Sequence, residues 1–388
     1  MKIEDLLACT IDNRGKTPPV SSEGHCLLEI NCIASKKKYP DYSLIRKYVS
    51  EDVYNTWFRS GHPQKGDILI PTVGTLDAVG ICDRDDCCIA QNLIAFRVDS
   101  SVCEREYFYY LLCDPVIRKR VLQLDIGGVQ PSIKVPHLKK LEIDIPNIEK
   151  QKRIAEVLAR LDSKIQNNTI INKNLEEQAQ ALYNELFADS SFDATLADLG
   201  TIVGGSTPSK KHPEYYTDQG IAWITPKDLS NNSSKFIYHG ENDITELGLS
   251  KCSASVMPSG TVLFSSRAPI GYIAVAANPT ATNQGFKSVI PNDEIGTAFV
   301  YYFLKNNLTM IESMASGSTF KEISANVMKA IPAFKPDGDK LYQFRKFCEP
   351  LFYHQQMLES ENTRLAQLRD TLLPRLMSGE VDVSKIDI

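Results

Sequence analysis

Two short segments, Gly15-Lys16-Thr17-Pro18 and Gly205-Ser206-Thr207-Pro208, place hydroxyl and amine donors on glycine-containing turns. Side chains and backbone N–H groups on such turns can together meet a phosphate. The same residues also build an ordinary structural turn, and both readings stay open at this level for Lys16, Thr17, Ser206 and Thr207. A second set, Thr72, Thr225, Lys227, Ser265, Arg267 and Gln284, falls at expected strand ends or in loops. Those side chains donate or accept as base edges and phosphates require. Tyr109, Tyr110, Tyr301 and Tyr302 either stack on bases or, at helical spacing, pack in a core or against a partner.

Motifs for covalent chemistry do not accompany these residues. Pro18-Pro19-Val20 and Asn278-Pro279-Thr280 fail the pattern that holds a flipped adenine, and Gly61 to Gly66 runs into Asp67 where a nucleotide loop needs Lys and Ser or Thr. Asp162-Ser163-Lys164 lies inside an expected helix, and the six histidines have no nucleophile motif beside them. Ten cysteines show no paired Cys-x-x-Cys spacing; Cys82, Cys87 and Cys88 lack a second ligand pair, so reduced thiols and no metal are expected. No catalytic residue and no cofactor is assigned to the chain.

The formal charge of −5 gives little long-range attraction for phosphate, so any basic face must be local. Contributors are Lys36-Lys37-Lys38, Arg46-Lys47, Arg118-Lys119-Arg120 and Lys139-Lys140, then Lys210-Lys211, Lys227 and Lys235. The opening residues carry no basic-then-apolar leader, and no long uncharged apolar stretch follows, so a cytoplasmic protein is expected.

What must position these residues is a duplication. At 388 residues the chain exceeds one ordinary core, and its halves correspond at a shift of roughly 190 residues. Lys65-Gly66-Asp67-Ile68-Leu69 answers Ser259-Gly260-Thr261-Val262-Leu263, and Ala90-Gln91-Asn92-Leu93 answers Thr282-Asn283-Gln284-Gly285. Tyr107–Leu112 answers Phe299–Leu304, an aromatic amphipathic helix in both copies, and Gly127 and Ile133 answer Gly317 and Ile323. Each half then enters a long helix with heptad spacing. The first runs Ile154, Leu158, Leu161, Ile165, Asn168, Asn172, Leu175, Ala179, Leu182, Leu186; the second runs Phe347, Leu351, His354, Leu358, Glu361, Leu365, Leu368, Leu372. The expected fold is α+β: mixed α/β domains at 1–147 and 190–337, with a long helix at 148–189 and a second long helix with a C-terminal tail at 338–388. Those helices pair as an antiparallel coiled coil about a pseudo-two-fold axis. Asn168 and Asn172 then meet Glu361 in a polar layer that fixes register.

Several segments together carry a resemblance to the specificity subunits of type I restriction–modification enzymes. They are the duplication itself, Gly204-Gly205-Ser206-Thr207-Pro208-Ser209, Trp223-Ile224-Thr225-Pro226-Lys227-Asp228-Leu229, Thr282-Asn283-Gln284-Gly285-Phe286 and Leu372-Leu373-Pro374-Arg375-Leu376-Met377-Ser378-Gly379-Glu380. The first half departs from the pattern, with Gln91-Asn92-Leu93 where the second has Asn283-Gln284-Gly285. The resemblance implies that each globular segment is a target-recognition domain reading one half of a split, asymmetric site in double-stranded DNA. It implies that the helices space the domains and dock two modification subunits. Those partners would carry S-adenosylmethionine and methylate adenine; restriction subunits, holding ATP and Mg, would translocate and cut. A methylation-only assembly and a coiled-coil protein-binding adaptor are the alternatives.

Overall fold

In the computed structural model, which describes residues 1–34, 37–128, 130–232, 234–317 and 321–386, both halves build the same strands in the same order. The first half contributes β1 (Leu7–Ile11), β2 (His25–Leu28), β3 (Ile68–Pro71), β4 (Gly80–Ile81), β5 (Cys87–Ile89) and β6 (Leu93–Val98). The second contributes β7 (Gly200–Gly204), β8 (Ala222–Ile224), β9 (Val262–Ser266), β10 (Ile270–Ala276), β11 (Thr280–Thr282) and β12 (Lys287–Pro291). The helices used below are α1 (Arg105–Cys113), α2 (Ile148–Phe187), α3 (Thr297–Asn306) and α4 (Gly338–Met377).

Strand order is β1-β6-β3-β4 in one sheet and β7-β12-β9-β10 in its counterpart, with these neighbours antiparallel; in the second sheet Phe236–Ile237 is added beside β10 in parallel. A separate parallel pair stands in each half, β2 with β5 and β8 with β11. The alternation along the central strands explains this arrangement. Ile68 and Ile70 enter one core with Phe96 and Phe108, while Leu69 enters a second with Leu28 and Leu93. Val262 and Phe264 likewise join Phe299 and Tyr302, while Leu263 joins Ile224 and Phe286. Each such side chain contributes about 1.5–3 kcal/mol on burial, so both faces of the sheet are held.

By contacts the chain divides into two units, Met1–Lys164 with Arg364–Ile388, and Ile165–Thr363. Each combines a globular segment with the adjoining stretches of both long helices. In the first unit Ile154, Val157 and Leu158 share a core with Leu373 and Leu376, and Arg369 reaches Asp162 at 2.8 Å. In the second, Asn168 meets Glu361, Asn172 meets Glu359, and the Tyr183 and Phe344 rings lie 5.7 Å apart. Numbers rise on α2 as they fall on α4, so the helices are antiparallel within both units.

The heptad reading of α4 needs correction. Phe347, His354 and Leu368 face solvent, and the inward positions around Phe347 are Phe344, Cys348, Phe352 and Gln355. This stretch of α4 packs against two neighbours, α2 and the aromatic α3, and a two-sided contact needs a wider stripe than a coiled-coil seam. On α2 the deepest aromatics are Tyr183 and Phe187, one position beyond Leu182 and Leu186, for the same reason.

Asn168 is fully buried and donates to Glu361 Oε2 at 2.7 Å and to Asn362 Oδ1 at 2.9 Å. Asn172 donates instead to Glu359, at 3.0 Å. Glu359 also accepts the backbone N–H groups of Lys235 and Phe236, each at 2.9 Å, which ties the helix layer to the globular segment. Burial raises the Glu359 carboxyl, and those two backbone donors oppose the shift.

Candidate nucleic-acid interface

The parallel strands β8 and β11 end side by side, Ile224 against Thr282, and each releases a loop at that point. Asn283 N donates to Ile224 O at 3.0 Å and joins the two loops. The loop after β7 lies on the same spot: Ser206 N donates to Thr282 O at 2.9 Å, and the Trp223 indole N–H reaches Ser206 O at 3.0 Å. Only glycine permits that approach, since a Cβ on Gly205 would stand 2.1 Å from the Asn283 carbonyl oxygen and 2.2 Å from that of Thr282. The Thr207 hydroxyl donates to the Gln284 side-chain oxygen. Gln284 is exposed, and its amide N–H groups have no partner among the described residues. Lys210 and Lys211, exposed just beyond Pro208, add positive charge to the same loop.

Several expected contacts have other work. Thr225 caps the short helix Pro226–Asn231: its N–H and its hydroxyl both reach Asp228 Oδ2, at 2.7 and 2.6 Å. Thr225 therefore positions Lys227, which is exposed and paired with exposed Glu241 at 2.6 Å. Such a surface pair contributes little to stability. Ser265 is 0% exposed and saturated, donating to Pro269 O and accepting from Tyr272 N. Thr72 is 1% exposed, with its hydroxyl 3.4 Å from Asn92 O. Both side chains are enclosed, Ser265 near the end of β9 and Thr72 one residue past the end of β3. Arg267, half-buried past the end of β9, pairs with Glu322 at 3.3 Å.

The first copy repeats the frame. Ala90 N donates to Leu28 O as Asn283 N does to Ile224 O; Thr72 N donates to Asn92 O as Ser266 N does to Gly285 O. Ile133 N donates to Thr72 O as Ile323 N does to Ser266 O. These bonds set Ala90 opposite Asn283, Gln91 opposite Gln284 and Asn92 opposite Gly285, one residue away from the match made on residue identity. Exposed Gln91 is thus the counterpart of Gln284, and sequence reasoning missed it. The usable signal was the glutamine in each loop, which a one-residue slip superimposes.

Lys16 and Thr17 are exposed, but their turn is anchored elsewhere. Asn13 accepts from Ser60 N and donates to Gly61 O, both at 2.9 Å, and Arg59 donates to Arg14 O at 3.0 Å. No hydrogen bond joins Lys16 or Thr17 to Gln91 among the described residues.

The basic clusters separate by burial. Lys36 lies outside the described residues. Lys37, Lys47 and Arg118 pair with Asp41, Glu29 and Asp77 at 2.8, 2.7 and 3.0 Å. Lys235 is only 8% exposed, so it is not a surface contact as expected. Its ammonium sits on the Glu176 carboxylate, 2.7 Å from Gln355 Oε1 and 4.1 Å from the centre of the Phe352 ring. Lys38 repeats the device in the first unit, pairing with Glu106 at 3.0 Å over the Tyr110 ring. The tyrosine pairs belong to the cores: Tyr110 donates to Asp162 at 2.6 Å and Tyr302 to Glu176 at 2.8 Å. Among the described residues no group of three or more His, Cys, Asp or Glu could hold a metal ion.

Taken together, the repeated frame and its exposed loops define a tandem protein, one scaffold used twice, with a glutamine at the same loop position in each copy and different residues around it. The family model described as "Type I restriction modification DNA specificity domain" matches residues 35–177 and again 193–334, so the chain belongs to that family. It is 40% identical over 169 residues to the type I restriction enzyme MjaIX specificity subunit of Methanocaldococcus jannaschii, a match spanning 43% of this chain and 38% of that relative. Against the HindI specificity subunit of Haemophilus influenzae it is 24% identical over 404 residues, covering 82% of this chain and 87% of the other. The fold is that of the type I restriction–modification S subunit from M. genitalium, with a TM-score of 0.56, 18% identity and coverage of 97% and 95%.

A base contact and a phosphate contact separate experimentally. Gln284→Ala is expected to relax discrimination at one base pair, by about 1–3 kcal/mol, with non-specific binding unchanged. Lys227→Ala is expected to weaken binding to all sequences and lower the salt slope by about one. Binding isotherms on target and scrambled duplexes over a salt series check both; the opposite assignment would reverse the roles of the two residues.

Proposed function

We propose that the chain is the non-catalytic DNA-reading subunit of a type I restriction–modification complex, acting in the cytoplasm. Each recognition domain reads one half of a split, asymmetric target in double-stranded DNA, the first through Gln91, Lys16 and Thr17, the second through Ser206, Thr207, Lys227, Arg267 and Gln284. The observation that carries this reading is the shared hydrogen-bond frame around Asn92 and Gly285, on which both loops present an exposed glutamine while its neighbours differ, Ala90 and Asn92 against Asn283 and Gly285. One scaffold with two different edges suits two different half-sites. In this reading α2 and α4 set the gap and dock two modification subunits, which bind S-adenosylmethionine and methylate adenine. Restriction subunits, using ATP and Mg, supply translocation and cleavage. No helix among the described residues is long and apolar enough to cross a membrane.

With a formal charge of −5, the isolated chain is expected to bind DNA weakly at physiological salt and to gain sequence specificity with its modification partner. Electrophoretic mobility with and without that partner is the test. Tight, specific binding by the chain alone would overturn the division of labour, and no DNA binding by the complex would overturn the function.

A further inference from the structure

Arg267, Lys287 and Glu322 form a charged cluster for which the first copy has no counterpart. Glu322 lies between the two cations, with Oε2 at 3.3 Å from Arg267 Nη1 and Oε1 at 3.8 Å from Lys287 Nζ. Arg267 and Glu322 are also joined as an isolated antiparallel bridge. The same bridge in the first copy joins Val73 to Ser132, and the residue two beyond Asn92, matching Lys287, is Ile94. Three charged side chains therefore occupy positions where the other reader has Val73, Ile94 and Ser132. Shared architecture does not require them, because the first copy folds the same frame without any of the three.

The cluster is placed for contact with a ligand. Arg267 and Glu322 line a cavity of about 680 Å3 with Pro269, Ile270, Glu312 and Lys321. Lys321 is exposed and has no ion-pair partner among the described residues. Ser266, next to Arg267, donates through its N–H to Gly285 O, which connects the cluster directly to the loop that presents Gln284. Burial lowers the Lys287 ammonium below the ordinary lysine range; Glu322 opposes this and Arg267 adds to it. With Glu312 and Lys321 of the cavity counted beside the trio, three cations face two carboxylates, and Lys287 is the most enclosed of the five.

We propose that this cluster is a phosphate-binding latch in the second recognition domain, in which Glu322 occupies the place of a DNA backbone phosphate until the duplex displaces it. The inference rests on the DNA-reading function proposed above and adds an asymmetry: the second domain grips the backbone through a site that the first lacks. A carboxylate that must be displaced disfavours DNA placed poorly, since Arg267 and Lys287 are released only when a phosphate arrives between them.

The test measures binding to a non-specific duplex by fluorescence anisotropy over a salt series that starts low, for the full chain and for its complex with the modification partner. Glu322→Gln is expected to tighten binding about fivefold, because the competing charge is gone while the shape is kept. Lys287→Met is expected to weaken binding and to lower the salt slope by about one. The deciding measurement is the cycle: with Arg267→Gln and Lys287→Met already present, Glu322→Gln should have no effect. A gain from Glu322→Gln that persists in that background reports general charge rather than a latch and overturns the proposal. So does an unchanged affinity in Glu322→Gln with an unchanged melting temperature. Should Lys287→Met fail to fold, the same cycle run with Arg267→Gln alone should halve or abolish the gain. Wild-type binding with a failed cycle refutes the latch only; absence of DNA binding by the wild-type chain and by its complex refutes the reading function and the latch together.

Discussion

Lys235→Met should lower the stability of the second unit by about 3 kcal/mol, the low end of the cost of breaking a buried ion pair, because Glu176 keeps Lys305. At roughly 2–4 °C per kcal/mol for a unit of this size, the melting temperature should fall by about 10 °C. The Lys235 side chain is enclosed by Glu176, Gln355 and Tyr302 and by the rings of Tyr301 and Phe352. Glu176 loses the closer of its two ammonium groups and keeps Lys305, at 2.5 Å, on its exposed side. Replacing both partners, Lys235→Met with Glu176→Leu, should recover much of the loss, because an apolar pair of similar volume needs no desolvation.

The same pair predicts an acid sensitivity. Burial alone would raise the Glu176 carboxyl, but Lys235 and Lys305 outweigh it and hold the value at about 2. A folded value below the unfolded one means that the stabilisation is complete above the ordinary glutamate pKa, near 4.5, and is lost as pH falls from there through about 2. Wild-type stability should therefore decline over that window by roughly 3 kcal/mol from this group, and Lys235→Met should flatten the decline. Thermal melts between pH 2 and 7 measure both. A Lys235→Met melting temperature within 2 °C of wild type, or an acid slope left intact by it, would show that the pair is solvated rather than structural.

The second large effect is on specificity. Exchanging residues 190–337 for the same region of a relative should replace one half of the methylated sequence and leave the other intact. Each changed base pair costs about 1–3 kcal/mol, roughly additively, so the original site should drop to background while the new one is modified. The exchange succeeds only if the incoming segment keeps the residues that seat it, namely a lysine at 235 facing Glu176 and the aromatic face of α3 that packs on Tyr183 and Phe344. Methylation mapping of the chimera gives the answer. A swap that altered both halves of the site would mean that the two domains read jointly.

Residue order alone was enough to establish the duplication, the two long helices and the short apolar runs that become the central strands. Those features depend on local periodicity and on residues recurring at one shift, and neither needs a distant partner. It also marked Asn168 and Asn172 as polar positions on an apolar stripe, because a break in a period is visible without any structure.

The tertiary structure decided where each polar side chain finds its partner. Thr72 and Ser265 look like loop donors, yet the sheet buries them. Lys235 looks like part of a basic patch, yet Glu176 and Gln355, 59 and 120 residues away, draw it into a core. Gln91 and Gln284 became equivalent only when backbone hydrogen bonds aligned the copies, since residue identity over four positions cannot resolve a one-residue slip. The inward face of α4 likewise depended on α3 packing beside it. Amphipathic spacing shows that a helix has an apolar face; how wide that face is, and which polar groups on it are satisfied, is set by neighbours far away in the chain.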